Sequence, residues 1–223
     1  MPTSTSYDWP VMSTQAVCLN QDIIGSGDLL LNGVLGSALT PNQISFTRAG
    51  FVRNVSITSV NDLSAATFTI TGLQNNAIVE ETIVGPNNGT VFSTKFYDVI
   101  GTVSVDQAVT AVEVGTGDTG FFPLINPNPE SRGVSRISVL NYALATILSP
   151  GSGLTYTLYS TLEDTADNGV AYEDELSVFF PITPGATTNQ LYQSSLLVNK
   201  FLLKITGSTI PVTDQLSLTI LQQ

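Results

Sequence analysis

Residues 65–84 read AATFTITGLQNNAIVEETIV. In the first eight, Ala66, Phe68 and Ile70 fall on one side and Thr67, Thr69 and Thr71 on the other. That period of two predicts a strand with one face in a core and one in water. The last eight, AIVEETIV, predict a further strand, closed by the turn GPNNG at 85–89 with its Pro and two Gly. β-Branched residues suit such a pleated surface, and the whole of 54–90 holds one Asp, two Glu and no Lys, Arg, His or Cys. This region has the composition of a scaffold.

The same habit extends outward. Upstream, Val55 and Ile57 alternate with Ser56 and Thr58, and GDLLLNGVLG (27–36) predicts an earlier strand. Downstream come VFSTKFYDVIGTVSVD (91–106) and TAVEVGTG (110–117). The stretch GTGDTGFFPLINPNPESRG (115–133) is rich in Gly, Pro and Asn and reads as a boundary between domains. Its glycines do not make a phosphate loop, because no Lys-Ser or Lys-Thr pair and no helix follow. A second β set follows, at 133–149, 154–164, 175–185, 195–208 and 215–223. Strands at intervals of about ten residues predict an all-β fold. The expected architecture is two tandem antiparallel β-sandwich domains, Ig-like or jelly-roll-like, at 21–118 and 119–223, with an extended N-terminal arm at 1–20. Tyr7, Trp9, Val11 and Met12 give the arm apolar anchors, and Tyr7, Trp9 and Met12 are candidates for docking on a partner subunit.

Composition excludes several kinds of chemistry. Eighteen acidic against seven basic residues give a net charge of −11, which opposes binding to nucleic acid or to an anionic membrane surface. The N-terminus lacks a basic region followed by an apolar run, and no stretch of ~18 apolar residues occurs, so neither a signal peptide nor a membrane span is expected. Only 11% of residues are charged, well below the usual ~25%, so neutral Ser, Thr, Asn and Gln must cover the surface. That suits a chain packed against neighbours. With no His there is no Ser-His-Asp triad and no imidazole ligand. The single Cys18 forms no internal disulfide and lacks the commonest activating partner, so it is expected to be buried and inert. Glu80 and Glu81 are adjacent on a strand and point to opposite faces, so they cannot share one substrate.

The acidic segment 162–177 carries Glu163, Asp164, Asp167, Asn168, Glu173, Asp174 and Glu175. Asp164, Asp167 and Glu173 are candidate Ca²⁺ ligands, since that ion takes six to eight oxygens. The spacing does not fit an EF-hand, and the competing reading is a solvated loop whose charges discourage edge pairing. A glycosidase pair, with Glu163 or Glu175, would need an aromatic-lined cleft, whereas the aromatics lie scattered at strand spacing. Tyr156, Tyr159 and Tyr172 are the only suggestion of a carbohydrate-binding face, against a simpler role in core or interface packing.

The elements Ile57–Asp62, Thr67–Gly72, Glu81–Thr90, Phe92–Asp106 and Val112–Gly115, with Pro123–Leu124 and the strand at Leu154–Asp164, resemble the tandem β-sandwich virion structural proteins of tailed bacteriophages. The likeness spans roughly residues 21–165, and it departs at the aromatic before the Pro-Leu pair, which here is Phe121–Phe122. It implies a non-enzymatic protein, without cofactor, that decorates and cements the capsid by bridging major capsid subunits or other virion proteins. It also implies a homotrimer or other homo-oligomer, assembled in the host cytoplasm and sited on the outer surface of the particle. The alternative role is a tail, neck or fibre-anchoring component.

Overall fold

The computed structural model describes residues 4–8, 12–35, 44–45, 52–74, 76–125, 142–148, 155–161, 180–182, 185, 187, 190–194, 200–206 and 216–222. In chain order the strands are β1 (Ser4–Asp8), β2 (Cys18–Ile23), β3 (Gly27–Asp28), β4 (Ile44–Ser45), β5 (Val52–Asp62), β6 (Thr67–Gln74), β7 (Ala77–Val84) and β8 (Asn87–Phe92). They continue as β9 (Val99–Val105), β10 (Val109–Ile125), β11 (Tyr142–Leu148), β12 (Thr155–Thr161), β13 (Phe180–Pro181), β14 (Gln190–Ser194), β15 (Lys200–Thr206) and β16 (Leu216–Gln222). No helix occurs among the described residues, and the chain is all-β.

The chain divides into two units. Among the described residues, one contains Met12–Gly120 and the other contains β1 and the strands from Phe121 on. The first is a sandwich. In one sheet β5 lies between β8 and β10, and β2 pairs with β10. In the other, β6 lies between β7 and β9, while β3 and β4 pair with opposite ends of β9. β6 shows why this forms. Phe68 and Ile70 are fully buried while Thr67, Thr69 and Thr71 are half-buried, as the alternation predicts. They join Val55, Ile57, Tyr97, Ile100, Val103, Val105, Val112 and Val114 in one core cluster between the sheets. β5, as a central strand, is buried on its other face too. There Ser56 donates to the Thr116 carbonyl, and Asn54 accepts from the Thr119 amide at 2.9 Å.

In the second unit β16 lies between β1 and β11, and β14 pairs with β11, all antiparallel. β12 lies between β13 and β15. Tyr156, Leu158, Leu202, Leu203, Ile205 and Phe121 are buried, and the Lys204 ammonium stands 5.8 Å from the centre of the Phe121 ring.

Three expectations meet a different local structure. The strand expected over 27–36 is only Gly27–Asp28. Beyond it the chain runs beside β2 through side-chain amides: Gln21 Oε1 accepts from the Leu30 amide and Asn32 Oδ1 from the Leu19 amide, both at 2.9 Å. The Gly-rich start of the expected boundary, 115–125, is strand, and the chain passes between the units inside β10. Gly115 and Gly117 serve close approach there. A Cβ on Gly115 would meet the Ser13 carbonyl oxygen at 1.9 Å, and one on Gly117 would meet Asn54 Oδ1 at 2.1 Å. The arm is also built into the chain's own sheets. β1 pairs with β16, and Ala16, Val17 and Cys18 are buried in the first unit. The Val17 amide bonds the Val114 carbonyl at 2.9 Å, and the Thr116 amide bonds that of Ser13 at 2.9 Å.

Ala111 is strained. It sits at φ 52°, in the register shift between Val109 and Val112 where β10 bulges against β2, with its amide bonded to Asp22 Oδ1. Relief of ~1–2 kcal/mol of left-handed strain, less ~0.5–1 kcal/mol of added chain entropy, should leave Ala111→Gly more stable by roughly 0.5–1 kcal/mol. Ala111→Val should lose stability. Urea midpoints of the three proteins check the order.

Candidate functional site

The surface of the first unit with the most distinctive chemistry lies along β7 and the segments tied to it. β7 pairs with β6 over eight residues without a register shift, from Thr67 opposite Val84 to Gln74 opposite Ala77. No second strand pairs with it among the described residues. Its outer face carries Ile78, Glu80, Thr82 and Val84, all exposed, while Val79 is buried beneath.

The two adjacent glutamates do separate work. Glu80 accepts a hydrogen bond from the Thr71 hydroxyl at 3.2 Å across β6. Glu81 accepts from the Thr94 amide at 2.9 Å, the Thr94 hydroxyl at 2.7 Å and the Lys95 amide at 2.9 Å. Residues 94–95 follow Ser93, whose amide bonds the Val55 carbonyl on β5. Glu81 thus ties the edge of one sheet to the end of the other. Across β5 and β8 the Thr58 and Thr90 hydroxyls pair at 2.9 Å.

A second carboxylate fixes the N-terminal segment. Glu113 on β10 accepts from Gln15 Nε2 at 2.8 Å and Asn20 Nδ2 at 3.3 Å. Partial burial pushes its pKa up, but the bonds from Gln15, Thr14 and Asn20 outweigh that and hold it below the ordinary 4.5. A depressed folded-state pKa contributes stability above the unfolded value, and that stability is lost as pH falls through the folded one. The stability difference between wild type and Glu113→Gln should therefore be full near neutrality and shrink as pH falls below 4.5. Denaturation midpoints from pH ~7 to ~3 check this.

Cys18 is fully buried, and burial alone pushes its thiol up to about 12, so it stays protonated at neutral pH. No cluster of three or more His, Cys, Asp or Glu suited to a metal ion occurs among the described residues. The Ca²⁺ candidates Asp164, Asp167 and Glu173 lie outside the described residues, as do Trp9 and Tyr172. Tyr7 stands on β1 opposite Leu218, and Met12 is half-buried at the start of the first unit. The structure does not bring Tyr7 and Met12 together in one element. Tyr156 is buried and Tyr159 is half-buried. Sequence reasoning passed over Arg53, Glu81 as a tether and Glu113. The one available signal was for Arg53, a charge set between Val52 and Val55 in an apolar strand.

No family model matches the chain, and no curated protein matches it. Among solved structures, one of infectious bursal disease virus Gt strain aligns with 15% identity over 100% of this chain and 70% of that one, at a TM-score of 0.20. That likeness carries no argument. No helix among the described residues is long and apolar enough to cross a membrane.

Proposed function

We propose that the protein is a non-enzymatic structural component of a tailed-phage virion, which decorates and reinforces the capsid by bridging major capsid subunits. One observation carries the reading. In the first unit, residues of the stretches that resemble the phage family do framework work. Ile57, Phe68 and Ile70 fill the core. Asp62 closes a turn by accepting from the Ser64 amide at 3.0 Å and its hydroxyl at 2.6 Å. Glu81 ties the two sheets at their edge. Such a unit offers hydroxyl-rich surfaces and strand edges for contact. Low charge with an acidic balance also keeps the protein off packed DNA.

The test is copy number per particle, by quantitative mass spectrometry of purified virions. Hundreds of copies are expected. A dozen or fewer would move the protein to the tail, neck or fibre base, and absence from the particle would remove both roles.

A further inference from the structure

Among the described residues the outer edge of β7 is open, and its residue order is close to palindromic. Counted outward from Glu81, Glu80 stands against Thr82, Val79 against Ile83 and Ile78 against Val84. The main-chain orientation follows from the neighbouring bonds. The Gly85 amide bonds the Ala66 carbonyl, so odd-numbered residues of β7 turn their polar groups toward β6. Thr67 and Leu73, opposite Val84 and Ile78, direct their carbonyls to the amides of Asp106 and Asp98 on the far side. The amides and carbonyls of Ile78, Glu80, Thr82 and Val84 therefore face the open edge.

We propose that this edge pairs with the same edge of a second copy, antiparallel about a two-fold axis through Glu81. Self-complementarity selects that partner. In this register Ile78 lies opposite the partner's Val84 and Glu80 opposite the partner's Thr82, so each outward amide and carbonyl finds a mate. An apolar pair closes each end and a polar pair flanks the centre. The same pairing sets Ile78 and Val84, which are 80% and 60% exposed, against each other across the seam. Neither Pro nor a bulge interrupts the strand. The two Glu81 carboxylates would meet at the axis, but each is already turned onto Thr94 and Lys95 of its own chain. The inference is independent of the virion role, because mass in solution tests one and copy number on the particle tests the other.

Sedimentation equilibrium of the full chain, with two variants, tests it. Thr82→Pro removes an amide that faces the open edge and no bond to β6. Ile78→Lys places a charge in the apolar pair. The wild type should sediment as a dimer and both variants at half that mass, with circular dichroism unchanged. Glu81→Cys should cross-link to itself under mild oxidation, since residues on the axis form a non-hydrogen-bonded pair with Cα atoms ~4.5 Å apart. Ile78→Cys should not. A monomeric wild type, a mass unchanged in both variants, or a Glu81→Cys protein that does not cross-link would each overturn the proposal.

Discussion

Arg53→Met should lower stability by roughly 1–3 kcal/mol, the usual cost of leaving a buried acceptor without its donor. Arg53 is 2% exposed on β5, and its Nη2 donates to the Gly117 carbonyl at 2.5 Å. Its main chain exchanges bonds with Tyr97, at 3.0 and 2.8 Å, so the backbone is fixed whatever the side chain. Burial pulls the guanidinium down, and Asp118 partly restores it, leaving a pKa of about 10. It therefore stays charged at neutral pH. Met fills much of the volume but leaves the Gly117 carbonyl without its donor and removes the charge that acts on half-buried Asp118. Arg53→Met combined with Asp118→Asn should recover part of the loss, with a coupling of roughly 0.5–3 kcal/mol in a double-mutant cycle. Urea unfolding at constant m measures both. A neutral or stabilising single substitution would mean that packing alone suffices at this position.

Short-range pattern made β6 legible. TFTITG alternates so cleanly that Phe68 and Ile70 could be placed inside before any partner strand was known, and both are fully buried. Val55 and Ile57 followed the same rule. What failed to show was set by distant partners. The glycines at 115 and 117 have the composition of a loop, yet their lack of side chains lets Ser13 and Asn54 approach a long strand. LLLN at 29–32 has strand composition, but Gln21 and Asn32 satisfy this edge with side-chain amides in place of a ladder. The N-terminal segment shows no periodicity: Ser4–Asp8 pair with β16, and Ser13, Gln15 and Val17 are held by Thr116, Glu113 and Val114, about one hundred residues away. Glu81 follows the same principle. Its sequence shows only an adjacent carboxylate pair on opposite faces of a strand, whereas Thr94 and Lys95 give it a structural task that no local pattern encodes.

Phe68→Ala should cost roughly 3–5 kcal/mol, a large fraction of the 5–15 kcal/mol that holds a typical domain together. Phe68 is fully buried, pairs in register with Ile83 on β7 and Val105 on β9, and sits where a Cβ on Gly85 would come within 2.9 Å of its ring. Neighbours on two strands and a turn surround this position, so truncation leaves a cavity that no single strand can close. Phe68→Leu, which keeps most of the volume, should cost less than half as much. The control is ten residues on along the same hairpin. Ile78→Ala removes a comparable apolar group from a side chain that is 80% exposed, and in the monomer it should change stability by less than ~0.5 kcal/mol. At a chain of this size each kcal/mol moves the melting temperature by ~2–4 °C, so calorimetry should separate Phe68→Ala from the wild type by roughly 10 °C. Equal shifts at Phe68 and Ile78 would mean that the inward and outward faces of the hairpin had been assigned the wrong way round. The core reading of the opening stretch and the exposed edge proposed for self-pairing would then fall together, because both depend on the same alternation.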